Sequence, residues 1–142
     1  MSDRDTKPAK ILLVEDDRID VKAFQRAMTK LKIGNPIHIC SDGVEAYEYL
    51  QDSFQGDAAE APSLAILDIN MPRMNGIELL ENVIKHGIDT QFIMISAHGT
   101  IDTALEATKK GAFDFIEKPP DLNRVLLAIR NALDKKTLVR ET

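Results

Sequence analysis

Several residues suited to metal and phosphate chemistry stand at the ends of short apolar runs in the sequence. Glu15 and Asp16 follow the first run, Asp68 ends a second, Ser96 follows a third and Lys118 follows a fourth. Carboxylates that come together repel one another, and a hard divalent cation such as Mg²⁺ relieves this repulsion by taking oxygen ligands. An ammonium and a hydroxyl group can neutralise phosphoryl oxygens. The set therefore suits Mg²⁺-dependent phosphoryl transfer with Asp68 as the nucleophile, provided that the fold brings these residues together.

Taken alone, each of these residues also has a more ordinary interpretation. An acid at the end of a strand is usually a turn residue or a helix cap, and a serine or lysine there is usually a surface residue. Asp17, for example, is expected to cap the helix that follows it. The elements that position these residues decide between the two interpretations.

Apolar periodicity divides the chain into alternating strands and helices. Short apolar runs bounded by turn residues predict strands, and apolar residues at three- and four-residue steps predict amphipathic helices. The predicted strands are Lys10–Val14, Ile37–Cys40, Leu64–Leu67, Gln91–Ile95 and Phe113–Ile116. Helices are predicted to begin near Ile19, Val44, Ile77, Ile101 (capped by Thr100) and Asp121. A polar loop is predicted over Asp52–Pro62, and fraying over Lys135–Thr142.

Strand–helix units that repeat along the whole chain predict an α/β fold. Parallel strands joined by right-handed helical crossovers form an open sheet with helices on both faces. The carboxyl ends of all its strands meet at one edge, where ligands bind in such folds. The acids, the serine and the lysine at the strand ends are therefore expected to converge.

Composition restricts the class of protein further. A chain of 142 residues is long enough for one domain with a buried core, and its net charge of −5 disfavours nucleic-acid binding. The single cysteine, Cys40, excludes an internal disulfide and a cysteine-based zinc site. No stretch has the pattern of a signal peptide or a membrane span, so a cytoplasmic protein without membrane contact is expected.

The sequence resembles the receiver (REC) domains of two-component response regulators. The resemblance extends over about Lys10 to Leu133 and depends on motifs that occur in the family's order. They are Leu-Leu-Val-Glu-Asp-Asp, Leu-Asp-Ile-Asn-Met-Pro-Arg-Met-Asn-Gly, Ile-Ser-Ala-His-Gly and Phe-Ile-Glu-Lys-Pro. The segment from Ser96 onward is particularly similar to NtrC-type regulators. The N-terminal half is more similar to stand-alone receivers that serve bacterial phytochromes.

The resemblance implies a fold and a domain organisation. The implied fold is a flavodoxin-like (CheY-like), doubly wound (βα)5 domain whose five-stranded parallel sheet has the strand order 2-1-3-4-5. The receiver domain would span residues 10–134. A flexible N-terminal tail over 1–9 would precede it, and a C-terminal extension or the start of a linker over 135–142 would follow it.

The resemblance also implies a role for each residue of the site. Asp68 corresponds to the phosphoacceptor, and Lys118 and Ser96 assist the reaction. Mg²⁺ ligands are implied at Glu15, Asp16, Asp68 and the backbone carbonyl of Asn70. Ser96 and Phe115 correspond to the switch residues of the family, and the bond between Lys118 and Pro119 corresponds to a cis peptide.

The function implied by the resemblance is a phosphorylation switch. A sensor histidine kinase or a phosphotransfer protein would donate the phosphoryl group, and the chain would catalyse only its own phosphorylation and dephosphorylation. Phosphorylation would shift the face formed by the fourth helix, fifth strand and fifth helix (100–111, 113–116 and 121–133). That face is expected to mediate homodimerisation or partner binding, and to control an output such as transcription regulation through a separate domain.

Three other classes of function remain as alternatives. A receiver-shaped adaptor would bind partners without phosphate, although the intact acidic set favours phosphorylation. A phosphatase of the haloacid-dehalogenase type needs a second acid two residues after Asp68, where this chain has Asn70. A nucleotide-binding protein would need a glycine-rich loop after the first strand, where this chain has acids.

Overall fold

The computed structural model describes residues 9–56, 61–69, 74–97, 99–118 and 121–141, with side chains up to Asp134. Within these residues, five strands alternate with five helices. The strands are β1 (Ile11–Val14), β2 (Ile37–Cys40), β3 (Leu64–Asp68), β4 (Gln91–Ser96) and β5 (Asp114–Glu117). The helices are α1 (Arg18–Lys30), α2 (Gly43–Gln55), α3 (Gly76–Lys85), α4 (Ile101–Lys109) and α5 (Leu122–Glu141).

The strands form one parallel sheet in the order β2-β1-β3-β4-β5. This order confirms the predicted doubly wound fold. The chain leaves β1 toward β2 on one side and returns through β3 on the other, so the strand order reverses between β1 and β3. Ligand sites of open α/β sheets lie outside the carboxyl ends of the strands at such a point.

A separate hydrophobic cluster covers each face of the sheet. Side chains alternate across a strand, so neighbouring residues of β3 enter different clusters. Leu67 packs in the cluster that contains Leu50 of α2. Ile66 packs in the other cluster, with Phe24 of α1 and Ile129 of α5. The sheet is therefore fixed from both sides, which holds its carboxyl edge in place.

Helix caps follow the sequence signals. Asp17 caps α1 by accepting a hydrogen bond from the Ile19 N–H, as predicted. Thr100 caps α4, also as predicted, through the Thr103 N–H. These caps fix the points at which α1 and α4 leave the carboxyl edge of the sheet.

Two helices are longer than the sequence predicted. The predicted loop over Asp52–Pro62 is wrong for its first residues, because α2 continues to Gln55 and Phe54 packs against the core. Helix α5 extends beyond residue 134 through Glu141, and the fraying over Lys135–Thr142 stays a prediction. The lysine, leucine and arginine residues of that segment favour helix. Among the described residues, no helix has both the length and the apolarity needed to cross a bilayer.

Candidate functional site

Four of the predicted site residues lie at the carboxyl edge of the sheet, where backbone bonds continue past the strands: Glu15, Asp68, Ser96 and Lys118. Glu15, just after β1, donates its N–H to the Cys40 carbonyl at 3.0 Å. Lys118, just after β5, donates its N–H to the Ser96 carbonyl at 2.9 Å. Asp68, the last residue of β3, pairs in register with β4. The pairing of the sheet therefore fixes the backbone positions from which these side chains extend.

Three acids come together at this edge. Glu15, Asp16 and Asp68 each place a carboxylate oxygen within 4.8 Å of the others. Glu15 and Asp68 are buried, with 6% and 8% of their surface exposed, whereas Asp16 is exposed. An all-oxygen group that is buried on one side and open on the other fits Mg²⁺, which keeps some water or phosphate ligands.

Burial and, to a smaller extent, the neighbouring acid make the charged form of the Glu15 carboxyl unfavourable. Burial raises the pKa of Glu15 to about 7, and the nearby charge of Asp68 adds to the increase, although the hydrogen bond from Lys118 opposes it. The second oxygen of Glu15 accepts the Asp17 N–H at 3.3 Å. Two hydrogen bonds thus fix the position of the Glu15 carboxyl, but they do not offset the cost of burying its negative charge.

Lys118 reaches into the group of acids. Its Nζ donates to Glu15 Oε1 at 2.6 Å, to Asp20 Oδ2 at 2.8 Å and to Asp68 Oδ2 at 3.3 Å. Burial alone would lower the pKa of Lys118, but the hydrogen bonds to Asp20 and Glu15 outweigh it and raise that pKa. Lys118 therefore carries its positive charge directly beside Asp68.

Asp20 is a member of this arrangement that the sequence interpretation missed. It lies in the first turn of α1, on the same helical face as Phe24 and Met28, which are buried. An acid in line with the buried stripe of an amphipathic helix is the signal that could have identified it. Its side chain is 40% exposed, so the contact with Lys118 forms at the rim of the site.

Ser96 and Phe115 lie beside the acids. Ser96 ends β4 and is 2% exposed, one residue beyond the partner of Asp68 in the strand register. Phe115 is half-buried and packs against the cluster that contains Leu67. Its ring approaches Gly99 so closely that a Cβ at that position would overlap the ring's Cζ atom and lie 2.9 Å from its Cε1 atom. Gly99 thus leaves the space that the ring occupies.

Two predicted features of the site lie outside the described residues. They are the metal-binding carbonyl of Asn70 and the cis bond between Lys118 and Pro119, since residues 70 and 119 are not described. At the start of α3, the backbone passes close to the end of β3. A Cβ on Gly76 would lie 2.9 Å from the Asp68 carbonyl oxygen and 3.0 Å from the Ile69 Cα. Helix α3 therefore starts directly against the strand that carries Asp68.

The predicted interaction face carries exposed apolar side chains. Ile101 and Leu105 of α4 are 80% and 53% exposed, and Leu127 of α5 is 55% exposed. The buried residue of α4 is Ala107. The larger apolar residues of α4 therefore point away from the core.

The sequence matches a known family over most of its length. The model of the response regulator receiver domain matches residues 11–130. The luminescence regulatory protein LuxO of Vibrio campbellii is 34% identical over 128 residues, which are 90% of this chain and 26% of LuxO. The chain thus spans about a quarter of the length of this curated relative. The match includes both halves of the chain.

Solved structures agree in fold. The signal receiver domain of a LuxO repressor protein from Vibrio parahaemolyticus superimposes with a TM-score of 0.83 at 28% identity, covering 94% of this chain and 95% of that one. A chain of the CheX–CheY–BeF3–Mg²⁺ complex from Borrelia burgdorferi has a TM-score of 0.78 at 30% identity, covering 91% and 92%. Together with the acids and the lysine at the carboxyl edge, these matches show that the chain belongs to the response regulator receiver domain family.

Proposed function

We propose that Asp68 accepts a phosphoryl group from the phosphohistidine of a sensor histidine kinase or a phosphotransfer protein, in a Mg²⁺-dependent reaction. The observation that carries this proposal is the convergence of Glu15, Asp16 and Lys118 on the Asp68 carboxylate. Family membership supports it. The related chain from the CheX–CheY complex, which was crystallised with BeF3 and Mg²⁺, supports it as well.

The side chains of the site divide the chemistry among them. An Asp68 oxygen attacks phosphorus, the P–O bond forms as the P–N bond to histidine breaks, and the imidazole keeps the bonding electron pair. Glu15, Asp16 and Asp68, with the Asn70 carbonyl, would hold Mg²⁺, which when bound neutralises carboxylate and phosphoryl charge. The Lys118 ammonium neutralises a second phosphoryl oxygen.

The proposed output is a change at the α4–β5–α5 face. Ser96 contributes its hydroxyl to the phosphoryl group, and Phe115 moves with it, because its ring lies against Gly99 in the loop that follows Ser96. The exposed Ile101, Leu105 and Leu127 give this face the apolar surface that a second copy or a partner protein needs. Phosphorylation would thereby control an output, including transcription through a separate domain.

The same proposal sets the limits of the function. The receiver domain spans residues 10–134, acts in the cytoplasm, and catalyses only its own phosphorylation and dephosphorylation. It binds no nucleic acid directly.

The test incubates the protein with acetyl phosphate and Mg²⁺ and measures the intact mass. We expect one phosphoryl adduct in the native protein and none in Asp68→Asn, which removes the nucleophile with little change in shape. Asp52→Asn is the matched control, since Asp52 is an exposed acid near the end of α2. It should take up phosphate like the native protein.

Two results would contradict the proposal. One is an absence of adduct in a folded native protein, and the other is an adduct that persists in Asp68→Asn. Partner binding that is equally tight with and without phosphate would instead favour the adaptor alternative. Steady turnover of a phosphate ester would favour a phosphatase.

A further inference from the structure

Asp20 contacts the site through Lys118, but it stands apart from the acids suited to a metal. Its Oδ2 accepts a hydrogen bond from Lys118 Nζ at 2.8 Å. The group of carboxylates that lie within 4.8 Å of one another consists of Glu15, Asp16 and Asp68 in the described part of the chain. Asp20 is therefore an acid whose contact is with the lysine rather than with that group.

The hydrogen bonds of Lys118 use its full donor capacity. A lysine ammonium has three N–H donors, and Glu15, Asp20 and Asp68 accept at 2.6, 2.8 and 3.3 Å. The longest of these contacts is the one to Asp68. A phosphoryl oxygen on Asp68 must therefore accept a hydrogen bond from a lysine N–H that now donates to one of these carboxylates.

The position of Asp20 makes it the competitor for that N–H. Asp20 Oδ2 and Asp68 Oδ2 contact the same nitrogen, so these two oxygens lie within about 6 Å of each other. Negative charges at that distance repel each other, and a phosphoryl group on Asp68 would add to the repulsion. Asp20 thus draws the ammonium away from the place where new negative charge would appear.

The surrounding structure leaves room for this displacement. A cleft of about 530 Å³ between α1 and the start of α5 is lined by Glu15, Asp20 and Lys118, together with the apolar Phe24 and Leu122. The lysine side chain therefore has space on the Asp20 side and is not forced toward Asp68 by packing.

We infer that Asp20 is a positioning residue that holds Lys118 toward α1 and competes with the phosphoryl group for its ammonium. The inference rests on the proposed phosphorylation of Asp68. Neutralising Asp20 weakens the acceptor that holds one lysine N–H and removes one negative charge beside the site. Phosphoryl groups and their analogues then bind more tightly.

The test titrates native protein, Asp20→Asn and Asp20→Glu with beryllium fluoride at saturating Mg²⁺, using the beryllofluoride as a stand-in for the phosphoryl group. We expect Asp20→Asn to bind about two- to fivefold more tightly, the range for one partly exposed charge pair. Asp20→Glu keeps a carboxylate and should stay near the native affinity. Glu48→Gln removes the same charge from an exposed position on α2 and should leave the affinity unchanged.

A second measurement needs neither metal nor phosphate. In metal-free protein labelled with ¹⁵N-lysine, the hydrogen-bonded Lys118 ammonium should exchange its protons slowly with water. Asp20→Ala removes one acceptor and should speed this exchange, whereas Glu48→Gln should not. A purely structural role of Asp20 would lower stability without a selective change at Lys118.

The outcomes separate this inference from the proposed function. Equal or weaker beryllofluoride binding in Asp20→Asn, or unchanged Lys118 exchange in Asp20→Ala, overturns the role of Asp20 alone. Failure of the native protein to take up phosphate overturns the proposed function. Tighter binding in Asp20→Asn, with native affinity in Asp20→Glu, supports the competition.

Discussion

The two ends of β5 differ in how their charges are balanced. At the start of the strand, Asp114 meets one guanidinium, because Arg124 of α5 donates to its two oxygens at 2.8 and 2.7 Å. Just past the end of the strand, Lys118 meets three carboxylates. One assembly is a balanced pair, and the other has a surplus of acid.

The pKa values of Asp114 and Glu15 shift in opposite directions. Burial alone would raise the pKa of Asp114, but the hydrogen bonds from Arg124 outweigh it and lower that pKa. At Glu15, burial dominates and raises the pKa to about 7 despite the contact with Lys118. A balanced pair stabilises the fold as it stands, whereas an acid surplus is relieved only by additional positive charge. Unbalanced charge, rather than charge itself, therefore distinguishes the end of β5 that lies at the proposed phosphorylation site.

The largest effect is expected from removing the positive charge of Lys118, which contacts the carboxylates of Glu15, Asp20 and Asp68. In Lys118→Met, buried carboxylates lose their partner, so unfolding should become easier by about 3 kcal/mol. Phosphate uptake from acetyl phosphate should also fall sharply. Chemical denaturation with and without Mg²⁺ checks the prediction, and the variant should gain more stability from Mg²⁺ than the native protein does.

Lys110→Met is the matched control for that change. Lys110 forms an exposed pair with Glu81 at 3.0 Å, with side chains 32% and 51% exposed. Its loss should change the free energy of unfolding by less than about 1 kcal/mol, as expected for surface ion pairs. Equal losses in the free energy of unfolding for Lys118→Met and Lys110→Met would contradict the contrast between balanced and unbalanced charge.

A smaller effect is expected midway along β5, where Phe115 lies between the two assemblies. In Gly99→Ala, the new methyl group would overlap the Phe115 ring, which must turn away. We expect a loss of about 1–3 kcal/mol from overpacking, and shifted NMR signals of Phe115 and Ser96. Gly34→Ala is the control, since a Cβ there meets no atom within 4 Å. Unchanged ring signals in Gly99→Ala would show that Gly99 does not position Phe115.

The smallest effect concerns the balanced pair and its dependence on pH. The folded-state pKa of Asp114 lies below its ordinary value of 3.8, so the pair adds stability above that pH and loses it as the pH falls through the folded pKa. In Asp114→Asn we expect a loss of about 1 kcal/mol at pH 7 that disappears in acid. Denaturation from pH 7 to pH 2 measures it, with exposed Asp134→Asn as the control. A loss that stays constant down to pH 2 would exclude the charge as its cause.

The sequence predicted what the parallel sheet dictates. Glu15, Asp68 and Lys118 stand at strand ends, and a parallel sheet must gather those ends at one edge, so their convergence followed from strand prediction alone. Asp20 was not predicted because it sits inside a helix, where its direction depends on the exact rotation of α1. The end of α2 was misplaced because Phe54 is held by tertiary packing rather than by local preference. The exposure of Ile101 and Leu105 was likewise hidden, since periodicity marks an apolar stripe without showing what covers it.

Helix α5 begins four residues after Lys118 and runs for 20 residues. At 1.5 Å of rise per residue, it is a rod about 30 Å long. A tilt of about 10° at its base would carry its far end through about 5 Å. Lys118, which contacts Asp68 at 3.3 Å, lies four residues before this helix, so a small change in the direction of the helix base would become a displacement of several ångströms at its far end.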